Sequence, residues 1–179
     1  MSSEPKATLK SVRSAVEEEL SIFLNFESAY LNTISTELSP VSEALTAFLL
    51  DSGKRLRPLF AYAGFAAAGG SLEKPVVRAM SALELLQACA LIHDDLMDGS
   101  DTRRGVPAVH KAFGNKMAIL AGDYLLARAS ISLARLRNTQ VVECMSTIIE
   151  HLVRGEVMQM HGGNVDRLSY YLRKNYYKT

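Results

Sequence analysis

Asp94, Asp95 and Asp98 stand together in Leu91-Ile92-His93-Asp94-Asp95-Leu96-Met97-Asp98. Asp94 and Asp98 are four residues apart, so in a helix their carboxylates project from one face. Two hard oxygen donors at that spacing suit Mg²⁺, which is held by one or two carboxylates and keeps waters and substrate phosphates in its other positions. At the C-terminal end of a helix the pair also opposes the macrodipole and repels itself, a local cost that a divalent cation relieves. The plain alternative is a solvated acidic helix end, and a short acidic motif alone does not separate the two. Its position after an apolar helix, outside any charge run, favours the metal.

Two basic clusters accompany it. Gly53-Lys54-Arg55-Leu56-Arg57-Pro58 puts three cations in a turn ahead of a helix start, and Arg103-Arg104 lies in the loop that leaves the acidic helix. Free N–H groups at a helix N-terminus with Lys and Arg nearby make a diphosphate site. Either cluster alone reads as ordinary surface Lys and Arg. The constellation instead predicts a site for two diphosphates, one bound through metal and the other by Lys and Arg directly. A reaction that joins two diphosphate substrates needs that division. Metal neutralises the charge of the diphosphate that departs, and ion pairs suffice for the one that is only held.

Helices must position these residues. Leu9, Val12, Val16, Leu20, Phe23 and Leu24 recur at three- and four-residue spacing and predict a helix with one apolar stripe. Ser39-Pro40 interrupts the pattern and 41–50 resumes it. Residues 51–53 read as a turn, and Pro58 suits the first turn of a helix that ends at Gly69-Gly70. A low-charge helix over 74–98, with Val77, Met80, Leu83, Leu86 and Leu91, reads as central and buried. Residues 99–113, with Gly105 and Pro107, read as a polar loop. Helices follow over 116–136 and 139–161, and another is predicted to begin within 165–178. With no strand alternation, repeat or boundary, the expectation is one all-α domain over residues 1–179.

Composition narrows the classes. A chain of 179 residues can bury a sizeable core. A net charge of +1 gives no global field to draw nucleic acid or anionic lipid, so no nucleic-acid partner is predicted and any anion site must come from local clustering. Cys89 and Cys144 lie in apolar helical runs and read as reduced thiols, though one disulfide between them is possible. Residues 1–20 carry Lys6, Lys10, Arg13 and Glu17 to Glu19 without an apolar core, so neither a signal nor a transit peptide is predicted. Leu59 to Leu72, the longest low-charge run, is interrupted by glycines and falls short of the ~20 residues of a transmembrane helix. The expectation is a cytoplasmic chain with no transmembrane segment, an organelle origin remaining open.

The block Gly53 to Pro58, then Gln87 through Asp94, Asp95 and Asp98, then Arg103-Arg104-Gly105, is similar to the signature of trans-polyprenyl diphosphate synthases. Gly155-Glu156-Val157-Met158-Gln159 resembles the family's G-[QE]-x-x-[QD] element, and Tyr177-Lys178-Thr179 looks like the start of its K-T-A element. The resemblance runs through nearly the whole chain in the family's order. It implies an isoprenoid-synthase helical bundle around a deep central cavity. There an allylic diphosphate ionises with Mg²⁺ assistance, isopentenyl diphosphate attacks the cation, and proton loss leaves a chain one isoprene unit longer. Carried over by position, Asp94 and Asp98 ligate Mg²⁺, Asp95 supports them, and Arg103 contacts the allylic diphosphate. Lys54, Arg57, Gln87 and Arg104 hold isopentenyl diphosphate, while Glu156, Gln159, Lys178 and Thr179 line the allylic site, the last two through carbonyls facing the cation. Gln87 stands where many relatives have His. Its amide can still donate to a phosphate, so only affinity is in question.

Product length follows from the residues one turn before Asp94. Short-product relatives block that level with aromatic rings, whereas here it holds the small Cys89 and Ala90, which predicts room for a tail of C20 or longer. The alternative is that another helix fills the space, because cores avoid voids. The family also carries a second aspartate-rich motif beyond the K-T-A element. None occurs in residues 1–179, where Asp123 and Asp166 are isolated and Asp123 reads as a structural helix residue. The expectation is therefore a bundle incomplete at its C-terminal side and a chain inactive on its own. The resemblance implies a homodimer or a place in a heteromeric synthase, and the alternative function is a non-catalytic partner subunit. The intact acidic motif argues against a decayed partner. The Lys54–Arg57 cluster argues against a terpene cyclase, which handles one diphosphate.

Overall fold

The computed structural model describes residues 8–50 and 53–160. The chain falls into two compact units, residues 1–137 and 138–179.

In the first unit α1 (Leu9–Ile34) starts at a capping box in which Thr8 and Ser11 satisfy each other's backbone N–H. Its buried stripe is Val12, Val16, Leu20, Leu24, Glu27 and Leu31, the helical spacing read from the sequence with one carboxylate set into it. A 3-10 turn over Thr36–Leu38 leads directly into α2 (Ser39–Leu49). Pro40 sits in the first turn of α2, where its missing N–H costs nothing, so the pattern break at Ser39-Pro40 is a helix start. Next come α3 (Leu56–Ala67) and α4 (Lys74–Met97).

The polar loop predicted over 99–113 is more ordered than its composition suggests. Strands β1 (Thr102–Arg103) and β2 (Val106–Pro107) pair as a hairpin, followed by the short helix α5 (Val109–Phe113). Arg104 (φ 54) and Gly105 (φ 86) both occupy the left-handed region, the requirement of a tight two-residue hairpin turn. Arginine is a poor residue for that conformation, which is why the turn does not stand out in the sequence.

Helix α6 (Asn115–Ala134) packs on α4 as the most extensive helix pair of this unit. Ala118, Ala121, Gly122 and Ala129 are all buried on α6, and such small residues let two helix backbones approach closely. α4 also meets α1 and α3, so it is covered on several sides, as its apolar character predicts. Both α4 and α6 are long and apolar enough to cross a membrane by length and composition, which corrects the shorter run read from the sequence. More than half of the apolar stretch of α4 is buried inside the protein, the pattern of a core helix.

A buried polar network ties α1 to α6. Glu27 has no exposed surface; its Oε1 pairs with Arg128 Nη2 and its Oε2 accepts from the Tyr124 hydroxyl. Burial, then that hydrogen bond, push the Tyr124 phenol above its ordinary range.

The second unit contains α7 (Thr139–Met160), whose first turn is capped by Asn138 Oδ1 accepting from Val141 N at 3.2 Å. The helix predicted to begin within 165–178 lies outside the described residues.

Candidate active site

Asp94 and Asp95 lie in the last turn of α4, and Asp98 caps it. A carboxylate oxygen of Asp94 and one of Asp98 lie within 4.8 Å of each other, with Asp94 half-buried and Asp98 exposed. Asp95 points elsewhere. It is 1 % exposed, and Arg103 Nε donates to both of its oxygens, at 2.9 and 3.0 Å. Arg103 Nη2 bonds Asp95 Oδ1 as well and reaches Asp94 Oδ2 at 3.4 Å. The hairpin therefore folds one arginine back onto the acidic end of α4. Asp95 thus holds Arg103, while Asp94 is half-buried and Asp98 exposed.

The neighbouring arginine goes the other way. A Cβ added at Gly53 would meet Arg104 Nη1 at 3.2 Å, Arg55 Nη1 at 3.4 Å and Arg104 Nη2 at 3.5 Å. Arg104 and the basic turn ahead of α3 are thus one patch in space, because the hairpin carries Arg104 to that turn. Within that patch the three cations of Lys54 to Arg57 have different fates. Arg55 is buried, donating from Nη1 to Glu84 Oε2 at 2.9 Å and from Nη2 to the Leu49 carbonyl at 2.6 Å. It caps the end of α2 and pins it to α4, which offsets its left-handed backbone (φ 50) at a cost of about 1 kcal/mol. Lys54 and Arg57 remain exposed.

Along α4, Gln87, Ala90 and Asp94 share one helical face and are each half-buried. Cys89 lies on the other side: it is buried, with Sγ 3.9 Å from His93 Nδ1. The two residues singled out for product length thus face differently, and Ala90 alone shares the Asp94 face. Burial first, and the charge of Asp123 second, push the Cys89 thiol up to about 11. His93 reaches across to α6, with Nε2 3.2 Å from the Ile119 carbonyl and 3.8 Å from Asp123 Oδ1. It fits because residue 122 is glycine: a Cβ there would lie 2.1 Å from Nε2. Asp123 lies on α6 with its exposed carboxylate toward this histidine. Neither His93 nor Gly122 stands out by type or spacing in the sequence, the one signal being that His93 directly precedes the acidic pair.

Beside the hairpin a cleft of about 480 Å³ is lined by Phe48, Leu50, Val106, Val109 and Phe113, with Arg103 and Arg104 also in its wall. Arg103 is half-buried there and Arg104 exposed.

The Polyprenyl synthetase family model matches residues 39–179. The chain belongs to the polyprenyl synthetase family. It is 37% identical over 153 residues to the decaprenyl-diphosphate synthase of Dictyostelium discoideum, an alignment covering 85% of this chain and 34% of that one. To the mitochondrial solanesyl-diphosphate synthase 1 of Oryza sativa it is 51% identical over 98 residues, covering 54% and 23% of the two chains. The crystal structure of geranylgeranyl pyrophosphate synthase from Corynebacterium glutamicum, complexed with isoprenyl diphosphate and magnesium, superposes with a TM-score of 0.67 at 36% identity, over 73% of this chain and 42% of that one. The chain thus spans about a third of the length of the Dictyostelium relative. The all-α architecture is that of the isoprenoid synthases, as the resemblance implied.

Polyprenyl synthetases handle diphosphates with a divalent metal, and the donor set here fits Mg²⁺. Asp94 and Asp98 supply hard oxygens one helical turn apart, and the exposure of Asp98 leaves room for waters and phosphate oxygens. On α7, Glu156 and Gln159 are three residues apart on one helical face. Lys178 and Thr179 lie outside the described residues.

Proposed function

We propose that the chain carries the first aspartate-rich motif and the isopentenyl diphosphate site of a trans-prenyltransferase that condenses isopentenyl diphosphate with an allylic diphosphate. The observation that carries this reading is the opposite placement of two adjacent arginines, Arg103 at the carboxylates of Asp94 and Asp95 and Arg104 at Gly53. The hairpin thereby separates an acidic metal-binding end from a patch rich in Lys and Arg, one for each substrate.

Mg²⁺ bound by Asp94 and Asp98 supplies charge neutralisation for a departing diphosphate. Asp95 orients Arg103, whose guanidinium offers donors to the allylic diphosphate. Lys54, Arg57 and Arg104, with the amide of Gln87, hold the diphosphate of isopentenyl diphosphate by direct ion pairs and hydrogen bonds. Glu156, Gln159, Lys178 and Thr179 complete the allylic side in this reading. Ala90, and Cys89 behind it, leave the level below Asp94 without an aromatic stopper. The decaprenyl and solanesyl relatives support a product of C20 or longer. In the same proposal the enzyme works as a homodimer or in a heteromeric synthase, and residues 1–179 alone turn over little substrate. The cytoplasmic placement also belongs to the proposal, and fluorescence imaging of a tagged chain tests it against the mitochondrial naming of the rice relative.

Calorimetry tests the two-site division without needing turnover. Isopentenyl diphosphate should bind without Mg²⁺, and Asp94→Ala should leave that binding unchanged while removing Mg²⁺-dependent binding of pyrophosphate. Lys54→Ala with Arg57→Ala should do the reverse. Loss of both activities together in either variant would contradict the assignment.

A further inference from the structure

A second pocket lies far from the carboxylates, in the groove between α1, the first half of α4 and the last half of α6. It has a volume of about 320 Å³, within the range of small-molecule sites, and its walls include Phe23, Phe26, Leu85 and Ile131. The rings of Phe26 and Tyr30 stack beside it with centroids 6.0 Å apart, so the α1 wall is aromatic along two turns.

Two polar atoms in this lining have no partner. Ser81 is 6 % exposed, and its Oγ makes no hydrogen bond; Arg128 Nε is buried and likewise unsatisfied. A buried hydroxyl or N–H without a partner is costly, and an acceptor bound in the pocket these residues line would relieve it. Of the three cations in the lining, Arg78 is paired with Glu19 at 3.3 Å and Arg128 with the buried Glu27 through Nη2, which leaves Arg135 at the rim. The groove therefore offers donors and cations interleaved with hydrocarbon and aromatic surface, the Arg128 guanidinium lying 5.9 Å from the centroid of the Phe23 ring.

We propose that this groove binds an anionic amphiphile, with its carboxylate or phosphate at Ser81 Oγ, Arg128 Nε and Arg135 and its hydrocarbon tail on Phe26 and Ile131. Ser81 precedes Asp94 by thirteen residues on α4, roughly 20 Å along the helix axis, so the site is separate from the diphosphate centre. Two ligand sources share this chemistry, an acyl carboxylate and a prenyl monophosphate. The groove has no carboxylate pair to hold Mg²⁺, so binding there is independent of the metal.

The test is calorimetric titration of the purified chain with decanoate and with geranyl monophosphate, in saturating Mg²⁺ and pyrophosphate to fill the diphosphate centre. Decanol and geraniol serve as neutral counterparts. At least one anion should bind, and about tenfold more tightly than its alcohol, as charge-assisted hydrogen bonds require. Whichever of the two binds more tightly identifies the source. Ser81→Ala should weaken that binding severalfold while leaving thermal stability unchanged or raised, because it deletes an unsatisfied buried hydroxyl. Arg135→Ala, on the exposed rim, should weaken it with the fold intact. Equal binding of anion and alcohol, no effect of Ser81→Ala and Arg135→Ala, displacement by Mg²⁺-pyrophosphate, or no binding at all would each overturn the proposal. The proposed prenyl transfer stands or falls separately, on the Asp94 and Lys54–Arg57 variants.

Discussion

Arg104 lays its guanidinium against Gly53, with Nη1 3.2 Å from where a β-carbon of residue 53 would stand. The contact joins two basic segments and sets where the cationic patch presents its charge. Gly53→Ala should keep the fold, since a flexible guanidinium can yield by a few tenths of an ångström, but should weaken isopentenyl diphosphate binding severalfold. Arg104→Ala removes a charge-assisted donor worth about 1.5–3 kcal/mol and should weaken it at least tenfold. Unchanged affinity in both variants would move the diphosphate elsewhere.

Asp95 and Arg103 differ in how each tolerates losing the other. Asp95 is 1 % exposed, whereas the Arg103 side chain retains 30% of its exposure and can rehydrate. Arg103→Ala strands a buried carboxylate and should cost about 3 kcal/mol, more than Asp95→Asn does. Adding Asp95→Asn to Arg103→Ala should restore part of the loss. Urea unfolding of the two single variants and the double variant measures this, and equal, additive losses would refute the asymmetry.

His93 fixes the carboxylate-bearing end of α4 to α6, in the space that Gly122 leaves. Gly122→Ala places a β-carbon 2.1 Å from Nε2 and should expel the imidazole, destabilising the fold by about 1–3 kcal/mol. His93→Ala should cost a similar amount through the lost bond to the Ile119 carbonyl. Because Gly122→Ala acts through the ring, the double variant should be less destabilised than the sum of the singles. Additivity in thermal unfolding would mean that the two sites act independently.

The two thiols should behave as opposites, since Cys89 is buried and Cys144 exposed. Burial lifts the Cys89 thiol from 9.0 to about 11, leaving roughly a hundredfold less thiolate at neutral pH. Iodoacetamide at pH 8 should label Cys144 first and Cys89 only as the protein opens. The same shift links to stability. The folded state holds the proton more tightly than the unfolded state, so this contribution is complete below pH 9 and is lost as pH rises through about 11. Cys89→Ala should flatten that alkaline decline, and an unaltered profile would assign it to other groups.

Much of this was legible in the sequence because helical periodicity is local. The stripe Val12, Val16, Leu20 and Leu24, the apolar run ending at Asp94, and the proline and glycine punctuation each depend on neighbours within a turn or two. So does the Asp94–Asp98 pair, whose shared face follows from four residues of spacing. The hairpin within 99–113 is not legible in the sequence, because its turn is carried by an arginine in a conformation that glycine or asparagine usually signals.

What only the tertiary structure decided is which cation or carboxylate meets which. Arg55 is spent on Glu84, 29 positions away, while Lys54 and Arg57 stay exposed. Glu27 lies in an apolar stripe and is made tolerable by Tyr124, 97 positions along the chain. Arg103 and Arg104 are adjacent and alike in sequence, and the hairpin sends one to Asp95 and the other to Gly53. The chain's own pattern determined the helices and the shared face of Asp94 and Asp98, since those rest on bonds between near neighbours. The fate of each charge rests on which helices pack together, because burying a charge is tolerable only beside a partner that another element supplies.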